Sequence, residues 1–165
     1  MQFLGHTEQV NTVDLSANGR YALTGGNDYS AYLWDTRTGQ VVWRFNHGGR
    51  VVMARLDPAG RFAFTADSRQ ASIWDLKTGK EVSRLQFAHR FEVYTSARFA
   101  NDGKWLITGA PSRQLSLWQV SDGTQLQSWR VSPHPKVKPP SAVVYGVALR
   151  DNGHLVSASS SGLAE

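Results

Sequence analysis

The chain has 165 residues, 41% of them apolar, and a formal charge of +5 from 18 Lys and Arg against 13 Asp and Glu. It contains no cysteine, which excludes a disulfide framework and a thiolate metal site, and no apolar run approaches the ~18 residues that span a bilayer. Its opening residues, Met1-Gln2-Phe3-Leu4-Gly5-His6, have neither the basic start nor the apolar stretch of a secretory signal, so a cytosolic chain is the default reading.

Segments 10–16, 21–24, 29–34 and 40–45 are rich in β-branched, aromatic and apolar residues and are separated by Gly, Asn, Asp and Ser clusters. They are read as strands A, B, C and D of one unit. Asn18-Gly19 between A and B, and Thr38-Gly39 between C and D, favour hairpin turns with positive φ. The unit then recurs. Leu33-Trp34-Asp35, Ile73-Trp74-Asp75 and Leu117-Trp118-Gln119 stand 40 and then 44 residues apart. Asn18-Gly19, Ala59-Gly60, Asp102-Gly103 and Asn152-Gly153 are separated by 41, 43 and 50, and Thr38-Gly39, Thr78-Gly79 and Asp122-Gly123 by 40 and 44. In strand D, Val42 and Phe45 follow Gly39 by three and six, as Val82 and Leu85 follow Gly79, and Leu126 and Trp129 follow Gly123. A spacing of three departs from period-two alternation, so a bulge or strong twist is expected there.

Several markers sharing a period of about 40 to 45 residues, with Trp-Asp among them, are the signature of a four-stranded propeller blade. On these residues the chain resembles the WD-repeat β-propeller family over nearly its whole length. The resemblance implies an all-β fold, a β-propeller of four-stranded antiparallel blades whose ring is incomplete in this chain. It is one partial propeller over 1–165, with repeats of about 3–45, 46–86, 87–130 and an incomplete 131–165. Propellers close with about four to eight blades, and a blade buries its faces only against neighbours. Gln2-Phe3-Leu4 reads as the tail of an outer strand whose blade is missing, and Ser161-Gly162-Leu163-Ala164-Glu165 as the start of a strand that is cut off. The favoured expectation is a piece of a larger propeller, with a self-associating half-propeller as the alternative. An upstream segment would reopen the question of compartment.

His6, Thr24, Asp28 and Trp34 invite the reading of a hydrolytic triad. The resemblance implies another role, a hydrogen-bonded network that fixes the blade, with Asp28 four residues after Thr24 and six before Trp34. Unit two supplies His47, Thr65 and Trp74 with Ser68 at the Asp position and Asp67 one residue early. Unit three supplies His89, Thr108 and Trp118 with Ser112 there, and unit four Ser157, with His134 as its candidate His. A hydroxyl accepts a hydrogen bond without the charge assistance of a carboxylate, so blades two and three are expected to be looser than blade one. A ring of histidines binding metal is the rival reading for His6, His47, His89, His134 and His154, and the blade-fixing role is preferred. No catalytic residue, cofactor or metal is assigned.

The resemblance implies a non-enzymatic scaffold for protein partners. Family contacts lie at the start of strand A and just before the turn Asp, which here are Gln9 and Asn11, Arg50 and Val52, Val93 and Thr95, Val143 and Tyr145, with Asn27, Arg69 and Arg113 from the B–C turns. Tyr and Arg often carry interface energy, which puts Tyr145, Arg50, Arg69 and Arg113 first. Nucleic acid is the rival partner, but thirteen Arg are spread over the units rather than bunched. The segment from Val131 to Ser141, with Pro133, Pro135, Pro139 and Pro140, lengthens the connection into unit four and is expected to be extended and partly rigid.

Overall fold

A computed structural model describes residues 3–86, 93–100, 102–131, 143–149 and 154–160. His89, His134, most of the Pro-rich segment and the residues after Ser160 lie outside them. The regular elements among the described residues are all strands, and neighbours within each sheet run antiparallel. The first sheet is β1 (Val10–Leu15), β2 (Tyr21–Gly26), β3 (Ser30–Asp35) and β4 (Val41–Asn46). The second is β5 (Met53–Leu56), β6 (Phe62–Ala66), β7 (Ala71–Asp75) and β8 (Glu81–Arg84), and the third β9 (Ser96–Ala100), β10 (Trp105–Gly109), β11 (Gln114–Gln119) and β12 (Gln125–Arg130). Of the fourth, β13 (Val144–Leu149) and β14 (Leu155–Ser159) are described.

These sheets are the blades. Their turns follow the sequence closely, since Gly19, Gly60 and Gly103 after strand A and Gly39, Gly79 and Gly123 after strand C all have positive φ. Strand C of blade one begins at Ser30 rather than Tyr29, because Tyr29 takes φ 61° in the turn. The expected irregularity in strand D is a bulge. Trp34 pairs with Val41 while Leu33 pairs with Trp43, and the same shift falls between Ile73 and Trp74 and between Leu117 and Trp118. The bulge leaves Val42, Val82 and Leu126 unpaired and partly exposed, and adds the twist that lets a short sheet stack obliquely on its neighbour.

The core lies between blades. Leu23, Ala31, Leu33 and Phe45 of blade one close on Val51, Ala54, Leu56 and Ala63 of blade two, and Phe45 stacks on Trp74 with ring centroids 4.7 Å apart. Phe64, Ile73 and Leu85 close in turn on Phe99, Leu106 and Trp118. Ile107, Leu115 and Val131 then close on Val144 and Val147. Burying a side chain of this size contributes about 1.5–3 kcal/mol, so each blade depends on the next. Polar groups tie the same seams. Trp43 Nε1 donates to the Leu76 carbonyl at 2.9 Å, and Ser83, its counterpart in blade two, donates to the Val120 carbonyl at 2.6 Å. Inner-strand amides also find acceptors on the previous blade, as Leu56 N donates to Asp14 Oδ2 at 2.8 Å.

Candidate interaction face

Two layers of residues meet at the end of the sheets where strands B and C join. Beneath is the network that holds each turn. In blade one His6 Nδ1 lies 2.9 Å from Asp28 Oδ2 and its Nε2 lies 2.9 Å from Thr24 Oγ1. A carboxylate can only accept, so Nδ1 donates to Asp28. Burial opposes ionisation of Asp28, but the hydrogen bond from His6 and the Thr7 amide outweigh it and hold its pKa below the usual carboxylate range. Trp34 Nε1 finds no partner in this arrangement.

Blade two corrects the sequence reading. Its B–C hairpin is one residue shorter than those of blades one and three, with nine residues rather than ten from Thr65 to Trp74. The shortening brings Asp67, not Ser68, into the Asp position: its Oδ1 accepts the Arg69 and Gln70 amides, both at 2.6 Å, and its Oδ2 lies 3.6 Å from His47 Nδ1. Trp74 Nε1 donates to Thr65 Oγ1 at 2.7 Å, and the hydroxyl sits 2.8 Å from His47 Nε2. Both His47 and Asp67 side chains are fully buried. Burial lowers the His47 pKa against the opposing pull of Asp67, so the ring is neutral near pH 7. Blade two keeps a buried carboxylate and gains the indole bond that Trp34 lacks, while His47 Nδ1 and Asp67 Oδ2 are buried without a hydrogen bond. Blade three retains the bond from Trp118 Nε1 to Thr108 Oγ1 at 2.8 Å, and Ser112 is exposed with no carboxylate in its place.

Above the network lie the candidate contact residues. The structure brings Gln9, Asn11 and Asn27 together: Asn27 N donates to the Gln9 carbonyl at 2.8 Å, and Asn11 Nδ2 to Asn27 Oδ1 at 2.8 Å. Asn11 Nδ2 also reaches the Val51 carbonyl at 3.1 Å, so part of its bonding capacity is used within the fold. Arg50 and Arg69 are exposed on the D–A connection and B–C turn of blade two, and Val93 is exposed in blade three. Arg113 adopts φ 64°, the conformation Tyr29 has in blade one, and the carbonyls of both accept an amide of the next connection, from Val131 and His47 respectively, at 2.9 Å. Thr95 is drawn inward, its hydroxyl donating to the Val144 carbonyl at 2.5 Å. Tyr145, left unpaired by a bulge between Val144 and Gly146, is 66% exposed and lines a groove of about 380 Å³ along the inner strands with Asp14, Arg55 and Arg98.

Sequence reasoning missed two of these features. Tyr29 is half exposed on this face, and its signal was its place directly after the turn Asp, where the chain turns left-handed. The inner groove, with Arg55 and Arg98 at matching strand positions, needed the sheet register to be seen. Among the described residues no group of His, Asp and Glu converges as a metal site, and no helix is long and apolar enough to cross a membrane.

Antiparallel four-stranded blades, stacked in chain order through their inner strands and fixed by repeated hydroxyl, indole and imidazole bonds, define an open β-propeller. A model of the WD domain, G-beta repeat, matches residues 1–35 and 79–119, and each match ends on the Trp pair of a strand C. These two segments are similar to WD repeats, and the fold they stand in is that of a β-propeller. It is similar in structure to the computationally designed Ika4 protein, at 19% identity and a TM-score of 0.76, covering 99% of this chain and 93% of that one. It is similar also to the designed Ika8 protein, at 20% identity and a TM-score of 0.76, covering 97% of this chain but 46% of that one. WD repeats in general serve as scaffolds for protein interaction.

Proposed function

We propose that this chain is a non-enzymatic platform that holds protein partners on the face formed by its D–A connections and B–C turns. The observation that supports it most is the sorting of charge on that face. Asp28 and Asp67 are turned inward into the blade networks, while Arg50 and Arg69 are exposed and the ring of Tyr29 is half exposed. Arg and Tyr are residue types that carry binding energy out of proportion to their number. The His–Thr–carboxylate sets are structural in this reading, because the Thr24, Thr65 and Thr108 hydroxyls are buried and in blades two and three already accept an indole N–H.

The test is capture of a protein partner by the folded chain. Arg50→Glu, Arg69→Glu and Tyr145→Ala should each abolish capture while leaving the circular dichroism spectrum and melting curve unchanged. Retention of every partner by all three variants refutes the assignment of this face. A nucleic-acid partner would instead show affinity falling steeply with salt, as bound phosphates exchange for counterions.

A further inference from the structure

We infer that the opposite end of the sheets, where the A–B and C–D turns lie, carries a second binding surface: two interblade clefts that take the apolar side chains of an acidic, extended protein segment. The clefts repeat with the blades. One of about 490 Å³ opens between blades one and two and is lined by Tyr21, Val42, Leu56, Leu76 and Lys77. The next, of about 460 Å³, opens between blades two and three and is lined by Phe62, Val82, Val120 and Lys104. Both lie at seams between complete four-stranded blades, and both volumes fall in the ~300–1,000 Å³ range of binding clefts. Each is built in the same way, with the aromatic that starts strand B and the bulged Val of strand D on one side and the turns of the following blade on the other. The bulge supplies the apolar contact, since Val42 and Val82 have left the pairing of strand D and stand 40% and 37% exposed.

The occupant follows from how charge is spent at this end. Asp35 accepts the Arg37 and Thr38 amides and the Arg20 guanidinium, and Asp75 and Asp122 accept the Thr78 and Thr124 amides of their own turns. Asp57 is buried and accepts the Ala59 amide and the Arg61 guanidinium. The remaining cations are not spent in this way. Lys77 and Lys104 line the clefts, and Arg37 and Lys80 stand on the C–D turns of blades one and two. All four are exposed, and among the described residues none of their side chains makes a hydrogen bond or ion pair. Asp102, exposed on the lip of the second cleft, is a carboxylate left free, which makes the first cleft the stronger of the two. An apolar floor with an unspent cation on its rim matches a segment in which apolar side chains alternate with Asp or Glu. A phosphate backbone would meet the cations and leave the apolar floors empty. Arg50 and Arg69 lie at the other end of the sheets, so this surface does not depend on the partner proposed for that face.

The experiment titrates a labelled synthetic peptide, with leucines set between glutamates, into the 165-residue chain. The peptide should bind, and exchanging its glutamates for glutamine or its leucines for serine should each weaken binding at least about fivefold. Lys77→Glu and Val42→Ser should each raise the dissociation constant at least about tenfold, with the melting curve unmoved because neither side chain is buried. Arg50→Glu, at the other end of the sheets, should leave the affinity unchanged. Amide shifts in nuclear magnetic resonance spectra should centre on Tyr21, Val42 and Lys77. A peptide that does not bind, binding that survives both Lys77→Glu and Val42→Ser, or shifts centred on Arg50 and Arg69 overturns the proposal. So does binding to phosphatidylserine vesicles that requires Lys77 and is not displaced by the peptide, which would assign the same cations to a membrane surface.

Discussion

Asp67 and Asp28 occupy the same place in successive blades, and each has neighbours that would be stranded without it. Replacing Asp28 by Ala leaves His6 Nδ1 and the Thr7 amide without their acceptor, and replacing Asp67 strands the Arg69 and Gln70 amides. Each substitution should cost about 1–3 kcal/mol in denaturant titration. Ser112→Ala, on an exposed residue, should change stability by no more than about 0.5 kcal/mol. A loss at Ser112 as large as at Asp67 would show that the hydroxyl does carry the turn. His47 adds a pH dependence. Its folded pKa lies below the ordinary 6.5, so the unfolded chain takes up the proton first. Its contribution is complete above pH 6.5 and is lost as pH falls below that value. Unfolding midpoints of the native chain should therefore drop between pH 7 and pH 5, and His47→Gln should show a shallower drop over the same range.

At the scale of elements, the turn glycines separate local from tertiary demands. Gly19 needs only its positive φ, with open space around a built Cβ, while Gly123 needs the φ and also lies against the Arg84 carbonyl of the preceding blade. Gly19→Ala should cost about 1–2 kcal/mol from the left-handed backbone, and Gly123→Ala distinctly more, as thermal melts of the two variants would show. Trp43→Phe should lose the bond to the Leu76 carbonyl, about 0.5–1.5 kcal/mol, and loosen the seam between blades one and two. The strands, their turns and the strand D bulge were legible in the sequence because each has a local cause: alternation, Gly at a fixed offset, and the three-residue step from Gly39 to Val42. The role of Asp67 was not. Counting back from Trp74 points to Ser68, and only the closed hairpin shows that the missing residue is taken from the turn between them.

For the whole molecule, the period of the Trp, Gly and His landmarks was enough to infer blades and their order, since a repeat that cannot bury its faces alone must stack on its like. The candidate face was legible in part. Gln9, Asn11 and Asn27 do meet, yet Asn11 is engaged with Asn27 and Val51, while Thr95 is turned toward Val144. Substituting the exposed Arg50 should therefore weaken partner capture without moving the melting temperature, whereas Asn11→Ala should lower both, a contrast that paired binding and melting measurements resolve. By itself the sequence determined the repeat, the strand menu and the turn chemistry, because these depend on neighbours a few residues away or on a fixed period. Tertiary structure alone decided which carboxylate enters the network of blade two and which polar side chains remain available on the face. Those outcomes depend on what packs across a seam, and residues on the two sides of a seam stand some forty positions apart in the chain.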